Sequence, residues 1–310
     1  MNWTRICGMF ALASLMVMAT LLSTPTLRDF SPENPYWNGL SLLKQALEKR
    51  GYETIVARQP LNSYPKGAGI ALIIVAPETA FSREEIDYLK KHVALGGLLI
   101  ILDDFAYANK VLEELNAPVR IVGKPLLDPV VNLGHEALPV ATIVDPVYFS
   151  LRDLSLALNI PSALEVRGSR EWFVRIVATT SEYSFVDYNG NGKVDEGENG
   201  KPLPIAVALT RREYRGFVIV ASDASLLVNS MLERGANKEF LLSVLERHGI
   251  RAVIIDDYHH HRSIAERIKT ALSVAGKQIL LVLSDPLGKY FFILLLVLGL
   301  LMSASRVLKG

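Results

Sequence analysis

The chain has 310 residues, a mean hydropathy of +0.26, and 33 Lys and Arg against 32 Asp and Glu, for a formal net charge of +1. That balance excludes the basic footprint of a general nucleic-acid binder. A single cysteine, Cys7, excludes an internal disulfide framework, a cysteine-rich zinc site and an iron–sulfur cluster.

The excess apolar content lies at the two ends. Residues 6–23 carry no charge over a length that suffices to cross a bilayer core. Residues 290–305 are likewise uncharged, and long enough if the segment begins near Leu287. The first segment reads as an uncleaved anchor in preference to a cleaved signal peptide, because Ser23-Thr24-Pro25 is a poor cleavage site. Arg5 precedes it, Arg306 and Lys309 follow the last segment, and every acidic residue falls between Asp29 and Asp285. The positive-inside rule then expects a cell-membrane protein with both termini cytoplasmic and the central domain extracytoplasmic. The expected division is an N-terminal transmembrane anchor (1–27), an extracytoplasmic α/β domain (28–284), and a C-terminal transmembrane helix with a short tail (285–310).

In the middle, residues 40–49 have helical spacing and 52–57 read as a strand. Residues 70–76 (IALIIVA) are a continuous apolar run of strand length. Over 82–95, Ser82 and Glu85 form a capping box, Ile86, Leu89 and Val93 make an apolar stripe, and Gly96-Gly97 ends the helix. A strand at 98–102 (LLIIL), a helix at 106–115 and a short strand at 119–122 follow. The pattern returns with a strand at 217–221 (FVIVA), a helix at 237–247 and a strand at 252–255 (AVII). Strands apolar on both faces, alternating with helices, imply an α/β fold built as a parallel-sheet sandwich. Residues 124–212 have shorter strands, prolines and turn signals, and read as a β-rich insertion.

Within the insertion, residues 187–198 (DYNGNGKVDEGE) fit the calcium-loop pattern D-x-[DN]-x-[DN]-G-x5-E at every specified position. Asp187, Asn189 and Asn191 occupy loop positions 1, 3 and 5, Gly192 allows the sharp turn, and Lys193 offers its carbonyl. Asp195 and a bidentate Glu198 complete a Ca2+ site. Its flanks look extended, so the loop is expected between strands. The plainer alternative is a solvated Asn-Gly turn.

If the sheet is parallel, the strand ends gather acids on one rim: Asp103 and Asp104, Asp223, and Asp256 and Asp257, followed by His259, His260 and His261. The reading favoured is a ligand-binding rim, against acids that merely end strands and cap turns. A transition-metal site at the histidines with Asp223 and Asp257 competes with a hydrogen-bonding loop that pins the rim. Neighbours on a strand face opposite ways, so at most two of the histidines could share an ion. There is no phosphate-binding glycine loop, no G-x-S-x-G elbow and no H-E-x-x-H.

The runs VIVASDASLLVNSMLERGANKEFLLSVLERHGIRAVIIDDYHHH, FSPENPYWNGLSLLKQALEKRGY and SFVDYNGNGKVDEGE resemble the membrane-anchored prokaryotic family called domain of unknown function 4350. The resemblance implies an amidotransferase-like, flavodoxin-like fold without the cysteine nucleophile, hence no glutaminase activity. It carries Asp223, Asn229, Asn237, Asp256, Asp257, His259 and His260 as the rim motif, although family members often have Glu where Asp257 stands. It also implies archaeal relatives, in keeping with a heat-adapted composition of only three Gln, and a MoxR-type ATPase system as partner. The expected function is a ligand- or partner-binding domain, non-catalytic, in an envelope assembly or transport-associated complex. The alternative is a metal-dependent hydrolase acting on an envelope substrate, with Asp257, His259 and His260 as catalytic candidates.

Overall fold

The structure, a computed structural model, describes residues 25–145, 154–195 and 200–261, with isolated helical positions nearer the two ends. The chain divides into two units, one of Thr26–His261 and one of Met1–Pro25 with Arg262–Gly310. The first unit contains, in chain order, α1 (Ser41–Lys49), β1 (Glu53–Ala57), β2 (Ile70–Val75), α2 (Arg83–Ala94), β3 (Leu98–Leu102), α3 (Asn109–Glu114), β4 (Val119–Ile121), β5 (Leu126–Leu127) and β6 (Val140–Ile143). There follow β7 (Ser155–Ala157), β8 (Leu164–Val166), β9 (Trp172–Thr179), β10 (Phe185–Val186), β11 (Pro204–Arg211), β12 (Phe217–Ala221), α4 (Asn237–Arg247) and β13 (Ala252–Asp256).

Nine strands form one sheet in the order β1-β13-β2-β3-β12-β11-β9-β6-β7. The first five run parallel and the rest are joined antiparallel. The inner parallel strands β2, β3 and β12 are apolar throughout because helices cover both faces. On one face α1 and α4 bring Leu43, Leu47, Phe240 and Leu245 onto Ile73, Ile100 and Ile255. On the other, α2 and α3 bring Leu89, Val93, Val111 and Leu112 onto Leu72, Leu99 and Ile254. Each such side chain contributes roughly 1.5–3 kcal/mol by leaving water. The capping box of Ser82 and Glu85 forms, and Gly96 ends the turn after α2 with φ 94°.

An all-parallel, amidotransferase-like or flavodoxin-like sandwich does not stand: the sheet is mixed. The segment 124–212 does not sit apart from it, since β6, β7, β9 and β11 extend the sheet from the edge of β12. The physical reason is the connection from β11 to β12. Residues 212–216 are far too few for a crossover, so β11 can only return antiparallel to β12. The strand expected at 119–122 is β4, which pairs with β8 outside the main sheet.

The flanking transmembrane helices do not stand either. Among the described residues no helix is long and apolar enough to cross a membrane. Segments 6–23 and 290–305 lie outside the described residues, apart from Met9, Ala13 and Met16. The cell-membrane placement with cytoplasmic termini, drawn from those helices, has no support among the described residues.

Gly216 shows how closely the parallel half is built. A Cβ there would lie 2.1 Å from the Gly97 carbonyl oxygen and 2.5 Å from that of Val93. Both are backbone atoms that cannot swing aside. Gly216→Ala is expected to lower stability by about 2–3 kcal/mol, checked by denaturant unfolding against the unaltered chain.

Candidate functional site

The carboxyl ends of the five parallel strands share one edge. After β3 the chain enters α3 on one face, and after β12 it leads to α4 on the other. The gap between β3 and β12 is thus the topological switch point, where open sheets of this kind bind ligands. Here it is covered. Ser162 donates its N–H to the Ser222 carbonyl (2.7 Å), and Asp223 Oδ2 accepts from the Asn159 N–H (2.9 Å). Both partners belong to the insertion.

The acids at this point mostly hold backbone. Asp103 is fully buried and accepts from the N–H groups of Phe105 (2.9 Å) and Ala108 (2.7 Å), which closes the turn into α3. Asp223 is fully buried, and its Oδ1 accepts from the Ser225 N–H (2.7 Å). Burial, and then the neighbouring charge of Asp104, push the Asp223 carboxyl well above the usual range. Asp104 differs from its neighbours: its buried Oδ1 has no hydrogen-bond partner among the described residues. Burial, with Asp103 adding repulsion, pushes its pKa up to about 7.

At the end of β13 the histidines are pinned. His259 is buried, with Nδ1 2.8 Å from Asp256 Oδ2 and Nε2 3.3 Å from Glu85 Oε1, the latter a charge contact without hydrogen-bond alignment. Its ring stacks on Phe81 at 3.7 Å. Burial lowers the His259 pKa, but the Asp256 hydrogen bond and the charges of Asp256 and Glu85 outweigh it, and the net shift is upward. Glu85 also accepts from the N–H groups of Leu61 and Ser82. Asp257 pairs with Arg28 at 2.5 Å, tying the N-terminal segment across the strand ends. His260 is buried beside Phe30, and burial lowers its pKa. His261 donates its N–H to Glu78 Oε2 (2.7 Å).

The two asparagines of the rim motif are struts. Asn229 Oδ1 accepts from the Leu42 N–H at the start of α1, and its Nδ2 donates to the carbonyls of Asn34 and Tyr36. Asn237 is fully buried, bonded in both directions to Ala157 and donating to the carbonyls of Leu226 and Met231. Asp223 stands three strands from His259, ~14 Å at the usual strand spacing, so these two do not form one site. Among the described residues no group of three or more His, Cys, Asp or Glu is placed to hold a metal ion.

A cleft of about 570 Å³ opens beside this rim, between the loop that follows β2 and helices α2 and α3. Ile86 and Val111 line it together with Phe81, Arg83, Asp87 and Lys90. Across from α2 stand Tyr107, Lys110 and Glu114. The loops forming its walls each hold a non-glycine residue in the left-handed region, Ala76 (φ 38°) directly after β2 and Ala106 (φ 68°) four residues after β3. These cleft residues escape a sequence reading because Arg83, Asp87 and Lys90 recur as any solvated helix face does. Only the fold sets α3 opposite them.

In the loop at 187–195, Asp187 accepts from the N–H groups of Gly190, Asn191 and Gly192, and these bonds, that of Gly192 foremost, hold its carboxyl below the usual range. Asn189 and Asn191 turn their amide nitrogens onto Asp195 Oδ2 at 2.5 and 2.8 Å. Positions 3, 5 and 9 therefore converge. Rotating the two amides would present oxygen instead of nitrogen to the same centre. The donor set fits a hard cation taking oxygen ligands, with the Lys193 carbonyl next in line. Glu198 lies outside the described residues.

Fold and site together define a mixed α/β domain whose strand-end acids serve the backbone and whose open cleft lies one strand away from the switch point. The model of DUF4350, a domain of unknown function, matches residues 32–245, and the chain belongs to that family. No curated protein matches it. Among solved structures it is similar in fold to the mmIFT52 N-terminal domain, at 13% identity and a TM-score of 0.54, over 68% of this chain and 90% of that one. A putative ThuA-like protein from Bacteroides uniformis ATCC 8492 matches at 11% identity and a TM-score of 0.40, over 67% and 81% of the two chains.

Asp104 gives the fold a pH dependence. The folded carboxyl keeps its proton to about pH 7, whereas the unfolded one releases it near the usual 3.8. The native state therefore binds more protons between these values, and stability falls as pH rises through them. His259 acts in the same sense, since stabilisation from its raised pKa is lost as pH rises through the folded value. Asp104→Asn is expected to stabilise the chain by about 1–2 kcal/mol at pH 8, discounted for partial exposure, and by nothing at pH 4. Thermal unfolding at the two pH values checks this.

Proposed function

We propose that this chain is a non-catalytic binding domain that holds a ligand or partner protein at the cleft beside the ends of β2 and β3, as one component of a larger assembly. The observation that carries this reading is a contrast between side chains. Asp103, Asp223, Asp256, Asp257 and His259 are engaged within the fold, whereas the side chains of Arg83, Asp87 and Lys90 have no hydrogen bond or ion pair among the described residues and line an open cleft. A hydrolase needs a base or nucleophile free to meet a substrate. His259, the best placed of the histidines, has both ring nitrogens against carboxylates. By family resemblance, a MoxR-type ATPase system is the partner to look for first. Reversing the cleft charge with Arg83→Glu and Lys90→Glu is expected to reduce recovery of complexes from native extracts by about tenfold or more, at unchanged melting temperature. Recovery that survives the double reversal would sink this reading.

The loop at 187–198 is, in this proposal, a Ca2+ site that stiffens the insertion. What supports it is the convergence of Asn189, Asn191 and Asp195 beside Asp187. At Ca2+ about a hundredfold above Kd, binding stabilises the folded state by about 2.7 kcal/mol. Melting temperature is expected to rise with added Ca2+ in the unaltered chain and to stay flat in Asp187→Ala.

A further inference from the structure

The chemistry of the cleft narrows what it can hold. Its charges alternate in sign, with Arg83, Asp87 and Lys90 on one face of α2 opposed by Lys110 and Glu114 on α3, and Glu78 in the loop after β2. With both signs equally represented, neither a polyanion nor a polycation is selected. Both β2 and β3 are paired on each side, so no strand edge is open to an added peptide strand. What is offered is a mixed set of hydrogen-bond donors and acceptors beside an aromatic surface.

That surface is set by the backbone. Tyr107 lines the cleft and stacks on Phe105, with ring centroids 5.3 Å apart and planes 14° from parallel, and each residue is half exposed. Ala106 between them is held at φ 68°. Gly123 closes against it so tightly that a Cβ there would come within 2.8 Å of the Ala106 Cβ. Strain of this kind persists where surrounding structure enforces it, and here it presents a flat aromatic pair to solvent. Lys110 and Glu114 pair with each other and Glu78 accepts from His261. The flat ring therefore lies beside the donors and acceptor of Arg83, Asp87 and Lys90, which matches a molecule with one apolar face and a hydroxylated edge.

We propose that the cleft binds a neutral saccharide, one sugar face lying on Tyr107 and its hydroxyls bonded to Arg83, Asp87 and Lys90. The inference rests on reading the cleft as the binding site and names its ligand class. A cleft of about 570 Å³ lies within the usual range for small-molecule sites and has room for roughly two sugar rings.

The test is calorimetric titration of the full chain with neutral hexasaccharides of glucose, mannose and N-acetylglucosamine, and with a sulfated polysaccharide. At least one neutral hexasaccharide is expected to saturate a single site, with less than about a twofold change in affinity in about 0.5 M salt. Tyr107→Ala and Asp87→Ala are each expected to weaken it by about tenfold or more, with melting temperature unchanged. The saccharide assignment is overturned if none of the three binds, if both variants bind as the unaltered chain does, or if only the sulfated polymer binds and salt removes it. Should the hexasaccharides fail while the Arg83/Lys90 reversal still abolishes complex recovery, the cleft is a protein site and only the ligand class is wrong. Should a hexasaccharide bind through Tyr107 while recovery is indifferent to the reversal, the assembly reading fails and the saccharide site stands.

Discussion

A parallel strand that ends inside a protein leaves its last amides, and those of the turn beyond, without the ladder that satisfied them. An unpaired buried N–H costs about 1–3 kcal/mol, so each such end needs an acceptor close by. In this chain the acceptors are carboxylates. Asp103 takes the amides of the turn after β3, Asp223 those after β12, and Asp256 that of Tyr258 after β13. Burying a carboxylate is itself unfavourable, and hydrogen bonds offset part of that cost. Asp103 and Asp223 each accept two N–H bonds, and Asp256 gains His259. Burial still pushes the carboxyls of Asp103 and Asp223 above the usual range.

The insertion depends on the same arrangement. Asn159 gives its N–H to Asp223, and Ser162 is tied to Ser222 in both directions through backbone and hydroxyl. The strand ends that would ordinarily frame a ligand crevice instead form the seat for residues 159–162. The accessible cleft consequently lies one strand over, beside β2 and β3, with walls set by Ala76 and Ala106 in left-handed geometry. The N-terminal segment is bound to the rim in a comparable way, through Arg28 to Asp257 and through Asn229 to the residues before α1.

The main strands and helices were legible because their signals are local. IALIIV, LLIIL and FVIVA are apolar for both faces of a covered sheet, and the Ser82–Glu85 capping box announces α2 within four residues. The acids were legible as a cluster on one edge, since parallel strands bring like ends together. Their role was not. Whether Asp256 meets a ligand or His259 depends on the path of the chain three residues later, and whether Asn237 lines a rim or holds β7 depends on a strand 80 positions away. The direction of β11 was equally hidden, because its register with β12 is imposed by a short connection and not by its composition.

Composition and spacing thus determined that a lone cysteine forms no internal disulfide, the alternation of strand and helix, the acidic strand ends and the calcium-type sequence pattern, all of which follow from residue types and short separations. The tertiary structure decided the mixed sheet, the closure of the switch point by the insertion, the burial of His259 between Asp256 and Glu85, and the cleft between α2 and α3. Those features arise where segments distant in sequence compete for the same backbone donors and the same apolar faces, and only the folded chain settles which of them meet.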